Sequence, residues 1–332
     1  QFPQPTLQYI LQDECDIDPS RGLPLLGSIL SDTHYVWHSK GPCLEIRNTK
    51  TGIKVGAWTF GCILKDSNTR IVCVEEIQRP NGMLSLLAVA IDCAISGGLI
   101  CIFDVFGSKV IRAIQIEEKI TSLHVVDSGC EVLNLPGPLR NFDGIISVGT
   151  EGGNVYLVDI CRQICEEALH SVTVRDELCP CHLILLTIKD IPRVEYYKEK
   201  SVREGGHLAI HLNIVVNSST HHFTLKGPKG DDRIFANREE VVTSALYYCS
   251  QLTSLLVGFN FGAFQLWDLT SLKLVYTSPV CEEHLPITHF ALQEPADDPR
   301  AFCYIWASYS NMNLHQSGLP FAVMYSVCYE SK

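Results

Sequence analysis

The chain has 332 residues, 46% of them hydrophobic and 19% charged, which is enough apolar content for a full core and excludes a disordered segment. Its formal net charge is −11, with 37 acidic against 26 basic residues and no run of five Lys or Arg, so it is a poor candidate for direct contact with phosphate backbones. Its 15 cysteines are odd in number, and Cys73, Cys93, Cys101, Cys249 and Cys303 sit inside apolar runs, which reads as reduced buried thiols in a reducing compartment. The opening Gln1-Phe-Pro-Gln-Pro5 has neither the basic start nor the apolar core of a secretory leader. The longest apolar stretch, 84–94, is interrupted by Ser85 and Asp92 and is too short to span a bilayer.

Along the chain, an acidic run (Asp13, Glu14, Asp16, Asp18) reads as a solvated face rather than a calcium site. The first strand signal is Cys43-Leu-Glu-Ile-Arg-Asn48, followed by the polar turn Asn48-Thr-Lys-Thr-Gly52 and an apolar run over 53–60. The pattern returns as a strand over 85–91, the link Ser96-Gly97-Gly98, a strand over 99–104 ending in Asp104, and another over 109–116. It returns again as 144–148, Gly149-Thr-Glu-Gly-Gly153 and 154–159. The stretch 166–201 breaks the rhythm. It holds a strand-like run over 183–188 and the charged segment Arg193-Val-Glu-Tyr-Tyr-Lys-Glu-Lys200; the stretch 189–203 around it, alternating charge with Tyr196 and Tyr197, reads as an ordinary exposed connection or as a protein-binding helix or loop on the propeller rim. A segment over 208–213 keeps time, and the polar stretch 217–240 is expected to be an inserted loop. The pattern is clearest over 254–268, where an apolar strand, Asn260-Phe-Gly262 and a strand ending in Trp267-Asp268 resemble a WD-type blade without its His and second Gly. A sixth beat falls at 319–325, with its partner strand over 303–308.

The ends of these segments lie 54–57 residues apart. Four short strands with their turns fill about fifty residues, which is one propeller blade. The expected fold is an all-β propeller of degenerate WD-like blades, six recognisable, as a single incomplete domain over 1–332. An open ring leaves strand edges bare, so the chain alone is expected to be oligomeric or poorly soluble.

Reactive constellations are weak throughout. Cys161, Cys165, Cys179 and Cys181 with His170 and His182 lack paired zinc-type spacing and read as a Cys-rich loop. His221 and His222 have no acidic or thiol neighbours at ligand spacing, and His207 and His211 read as strand histidines. The glycines over 149–153 lack the Gly-Lys-Ser/Thr ending of a phosphate loop and read as a hairpin. No catalytic, cofactor-binding or metal residue is assigned, and a non-enzymatic scaffold is expected. A propeller enzyme would need His, Asp and Glu converging on the central channel.

The most specific stretch is Leu285-Pro-Ile-Thr-His-Phe-Ala-Leu-Gln293-Glu-Pro-Ala-Asp-Asp-Pro299-Arg300-Ala-Phe-Cys303-Tyr-Ile-Trp306-Ala. It resembles the N-terminal β-propeller family of the nucleoporin ELYS, which carries Gln-Glu-Pro, an Asn or Asp, Asp-Pro-Arg, two residues, Cys-Tyr, an apolar residue and Trp-Ala. Gly41-Pro-Cys-Leu-Glu45, Gly107-Ser-Lys-Val110, Leu157-Val-Asp-Ile-Cys161 and Ser201-Val-Arg-Glu-Gly-Gly-His-Leu208 follow in family order. The resemblance implies a seven-bladed propeller, then a helical domain and a basic AT-hook-like tail that this sequence does not contain. It implies docking to other nucleoporins of the Y-shaped subcomplex, with chromatin reached only through those further regions. It also implies residence in the nucleus, at the nuclear envelope and pore complex, and at kinetochores in mitosis, with no membrane span, cofactor or small-molecule substrate. The contact patch is expected at Gln293, Glu294, Asp297, Asp298, Arg300 and Trp306. There Pro295 and Pro299 stiffen the loop and Arg300 can pair with a carboxylate. A general propeller adaptor outside the pore is the alternative.

Overall fold

A computed structural model of the protein describes residues 25–28, 35–60, 69–77, 86–93, 97–105, 107–126, 135–162, 165, 183–185, 194–197, 209–212, 214–217, 223–226, 232–235, 241–297, 301–311 and 319–328. In chain order the strands begin with β1 (Leu25–Ser28), β2 (Tyr35–Lys40), β3 (Cys43–Asn48) and β4 (Lys54–Thr59). Next come β5 (Arg70–Ile77), β6 (Leu86–Cys93), β7 (Gly97–Asp104) and β8 (Lys109–Ile116), then β9 (Ile120–Val126), β10 (Ile145–Thr150) and β11 (Val155–Asp159). Three short strands follow: β12 (Leu183–Leu185), β13 (Val194–Tyr196) and β14 (Ala209–Leu212). The remainder are β15 (Val215–Asn217), β16 (Phe223–Lys226), β17 (Asp232–Phe235), β18 (Thr243–Cys249), β19 (Ser254–Phe259), β20 (Phe264–Asp268), β21 (Lys273–Thr277), β22 (Ile287–Gln293), β23 (Ala301–Tyr309) and β24 (Phe321–Cys328). They form six sheets, each built around strands consecutive in sequence, which is the all-β propeller pattern of successive blades. The chain divides into two compact units, one built from 1–120, 129–131 and 160–197, the other from 121–128, 132–159 and 198–332.

In the first unit, β3 alternates between a core face (Leu44, Ile46) and a half-buried polar face (Glu45, Arg47). Its terminal Asn48 closes the next turn: Oδ1 accepts the amides of Lys50 (2.9 Å) and Thr51 (3.2 Å). Gly52 completes that turn at φ +69°, where a side chain would be strained. Trp37, Leu44, Trp58 and Phe60 pack with Leu87, Val89, Leu99 and Phe103 in one cluster. The rings of Trp58 and Phe60 meet Phe103 edge-on at 5.1 and 5.5 Å. Strands β6 and β7 are buried on both faces, which is why they read as continuous apolar runs rather than alternating ones.

Two strands extend these first sheets beyond four. β12 adds parallel to β4, and β13 adds parallel to β8. The expected strand over 183–188 is therefore present as β12. The charged segment 193–200 is not a helix where it is described: its start is β13, an edge strand. Arg112, buried on β8, explains the charge. Its Nε and Nη2 donate to the two carboxylate oxygens of Glu195 at 3.0 and 2.7 Å, and Nη1 donates to the Ile160 carbonyl at 2.8 Å.

In the second unit the sheets are β14-β11-β10-β9, β15-β16-β17, β18-β19-β20-β21 and β22-β23-β24. The segments at β3, β7, β11 and β20 are third strands, but 208–213 contains β14, which pairs with β11 as an outer strand. The beat at that point measures the excursion from 160 to 208, not a blade. The stretch 217–240, expected as an inserted loop, contains β16 and β17; β16 pairs with β15 on one side and with β17 on the other.

Strands β18, β19 and β20 are buried on both faces, whereas β21 at the edge of their sheet is largely exposed. Leu246, Tyr248, Leu255 and Trp267 join one cluster, and Ala245, Leu256, Phe264 and Leu266 join another. Asp268 repeats the turn chemistry of Asn48, accepting the Thr270 amide at 3.0 Å, the Thr270 hydroxyl at 2.8 Å and the Ser271 hydroxyl. Burial pushes its carboxyl up, but these hydrogen bonds prevail and hold it below the usual carboxylate value. Of the cysteines expected inside, Cys93, Cys101, Cys249 and Cys303 are buried and Cys73 is half-buried. Burial raises the Cys303 thiol to about 12.

Candidate functional site

The β22–β23 hairpin carries the expected contact residues. Gln293 ends β22, and Glu294 and Asp297 follow in the exposed connection. Trp306 lies on β23 opposite Ala291, 36% exposed, and its indole Nε1 donates to Gln293 Oε1 at 3.0 Å. Glu294 Oε1 accepts from Gln251 Nε2 at 2.5 Å, and Gln251 belongs to the short 3-10 turn Ser250–Leu252 that follows β18. The start of the loop is thus tied to the neighbouring hairpin of the same unit. Gln293 and Trp306 are in direct contact, and Glu294 is fixed beside them. Asp298 and Arg300 lie outside the described residues.

One further residue belongs to this face. Met324 of β24 is the cross-strand neighbour of Trp306 and is 48% exposed. Strand β24 alternates strictly, with Ala322, Met324, Ser326 and Cys328 exposed and Phe321, Val323, Tyr325 and Val327 half-buried. That alternation is visible in the sequence and would have pointed to Met324. The site therefore offers an aromatic and thioether surface, its one indole N–H already satisfied, next to the exposed carboxylates of Glu294 and Asp297. Such a surface can bind another protein through an aromatic anchor. Among its described residues no nucleophile is paired with a base.

The remaining sequence candidates have structural roles or fall outside the described residues. His211 Nε2 lies 3.1 Å from Asn154 Oδ1, and its ring stacks on Tyr156. The glycines over 149–153 form the β10–β11 hairpin, closed by the Gly153 amide on the Thr150 carbonyl at 3.1 Å. Cys165 is buried, with Sγ 3.5 Å from the Ile160 carbonyl, and Cys161 is half-buried. Cys179, Cys181, His170, His182, His207, His221 and His222 are outside the described residues. Among the described residues no group of three His, Cys, Asp or Glu is placed to hold a metal ion. No described helix is long and apolar enough to cross a membrane.

Six sheets of short strands with interleaved apolar faces define the class: a β-propeller domain. Residues 1–319 match the family described as the beta-propeller of ELYS nucleoporin, and the chain belongs to that family. It is 29% identical to Protein ELYS of Xenopus laevis over 334 aligned positions, covering 97% of this chain and 12% of that protein. It is 27% identical to Protein ELYS of Homo sapiens, covering 94% of this chain and again 12% of the relative. The chain thus spans about an eighth of the length of these relatives. Among solved structures, the β-propeller domain of Cps50 (Swd1) from Myceliophteria thermophila is similar at 12% identity and a TM-score of 0.45, covering 90% of this chain and 70% of that one.

Proposed function

We propose that this propeller is a non-enzymatic docking domain of the nuclear pore complex that binds other nucleoporins of the Y-shaped subcomplex. Recruitment of that subcomplex to chromatin would then depend on regions outside this sequence. The observation that carries the reading is the family match across residues 1–319. The face formed by Gln293, Glu294, Asp297 and Trp306 supplies the contact, with Asp298 and Arg300 following in the sequence. A propeller needs no chemistry for this task, since its loops and strand edges are themselves binding surfaces. Residence at the nuclear envelope, and at kinetochores in mitosis, belongs to the same reading.

The test is a pull-down of purified Y-subcomplex on the immobilised chain, with Trp306→Ala and a joint replacement of Asp297, Asp298 and Arg300. Capture by the wild type and loss in both variants is expected. Unchanged capture by the variants removes the patch, and no capture by the wild type removes the subcomplex as partner.

A further inference from the structure

The sheet β5–β8 is closed on its outer side by a strand from a distant part of the chain. β13 pairs in parallel with β8, with Val194 opposite Ala113, Glu195 opposite Ile114 and Tyr196 opposite Gln115. The Tyr197 amide extends the ladder, donating to the Gln115 carbonyl at 3.1 Å. An extended segment added to a sheet edge is also how many domains bind peptides, and here the addition occurs within one chain. The edge of β4 is covered in the same way by β12, but β12 is Leu-Ile-Leu and carries no charge. On β8 the Arg112 side chain is 6% exposed and reaches the Glu195 carboxylate with two hydrogen bonds, at 3.0 and 2.7 Å. The same guanidinium donates to the Ile160 carbonyl, so it ties the point where the chain leaves β11 to the point where it returns as β13. Val194 meanwhile packs against the core of the first unit. A buried guanidinium left unpaired is strongly disfavoured, so this edge selects an occupant that brings a carboxylate in register. The ladder that holds β13 is short and parallel, the less stable of the two pairings, and such edge elements open more readily than core strands.

We propose that the β8 edge is an acceptor site for an extended segment of a protein partner, with Glu or Asp directly after an aliphatic residue, and that β13 is its built-in competitor. The partner's carboxylate takes the place of Glu195 on Arg112, its aliphatic side chain takes the place of Val194, and its backbone takes over the ladder to β8. Main-chain hydrogen bonds supply affinity, and Arg112 supplies the selection. The partner binds only those chains in which β13 has left the edge. Its apparent affinity is therefore its intrinsic affinity reduced by the fraction of chains in that state. Competition is reciprocal, so whatever weakens β13 strengthens the partner. The site belongs to the first unit and does not rest on the partner proposed for the Trp306 hairpin.

Fluorescence anisotropy of a labelled synthetic peptide with the sequence of residues 193–198, Arg-Val-Glu-Tyr-Tyr-Lys, titrated with the full chain, reads the proposal. Glu195→Lys sets a like charge against Arg112, expels β13 and leaves the acceptor edge intact. It is expected to bind the peptide more than about ten-fold tighter than the wild type. Hydrogen exchange is expected to show the peptide protecting β8 amides in that variant. The same peptide with Gln in place of its Glu, and the double variant Glu195→Lys with Arg112→Met, are each expected to weaken binding by about ten-fold or more. Glu195→Ala removes the carboxylate without adding repulsion and is expected to bind more tightly than the wild type but less tightly than Glu195→Lys. It carries the test if Glu195→Lys loses the cooperative melting of the wild type. Equal binding by the wild type and both Glu195 variants, or no binding by any of them, overturns the proposal. Binding indifferent to the Gln peptide and to Arg112→Met overturns it too, as does protection that falls outside β8.

Discussion

The first sheet and the last sheet each have one face in a hydrophobic core and one face that is not. In β2–β4 the second face is polar and its charges are paired: Glu45 lies 3.3 Å from Arg47 and 3.0 Å from Lys54, and His38 stands opposite Glu45. In β22–β24 the second face presents Trp306 and Met324. Their edges differ in the same sense, since β4 is covered by β12 and β24 has no such strand among the described residues. Solvent alone is a sufficient neighbour for the first sheet. It is a poorer one for the last, whose second face exposes an aromatic and a thioether side chain.

The comparison breaks most visibly if the two faces of the last sheet prove energetically alike. Phe264 is 1% exposed on β20 and meets Phe290 at 5.7 Å and Tyr325 at 4.9 Å, so it joins β20 to the buried face of β22–β24. Phe264→Ala is expected to cost about 3–5 kcal/mol in chemical denaturation, the usual range for an aromatic cavity. The covered edges come next. Arg112→Met leaves Glu195 without its bidentate partner and the Ile160 carbonyl without its donor. Breaking a buried pair costs about 3–5 kcal/mol. The Glu195 side chain is 34% exposed, and water screening reduces the expected loss to about 2 kcal/mol. Hydrogen exchange should show β13 released from β8 in that variant, and protection retained there would mean the ion pair does not hold the edge. On the open face, Trp306→Ala is expected to change stability by no more than about 0.5 kcal/mol while abolishing partner capture. A large melting shift from Trp306→Ala would make that residue part of the core and erase the contrast.

Much of the fold was legible because its signals are local. An apolar strand that ends in Asn48 or Asp268 announces its own turn, since the side chain accepts the amide two residues on. The strand pairs flanking the glycine links over 96–98 and 260–262 were readable for the same reason. What escaped was pairing at a distance. Periodicity counts residues, not partners, so 208–213 kept time although its strand belongs to the sheet of β9–β11. The charge of Glu195 hid an edge strand, because the Arg112 that neutralises it lies 83 residues away. At the site, Gln293 and Trp306 flank one hairpin, and their closeness follows from the strand pattern. Met324 needed the next strand's register to join them.

The smallest expected effect concerns the polar face of the first sheet. Burial lowers the His38 imidazole below its usual 6.5, with Glu45 working in the opposite direction and Arg47 and Lys40 reinforcing burial. A base whose folded pKa is depressed is protonated first in the unfolded chain. Its contribution to stability is therefore complete above about pH 6.5 and is lost as pH falls through the lower folded value. Denaturation midpoints measured between neutral and mildly acid pH should decline, and His38→Gln should flatten that decline without moving the neutral value far. An undiminished slope in His38→Gln would show that this face is fully solvated. The first sheet would then differ from the last only in composition, and not in carrying a semi-buried polar layer over its core.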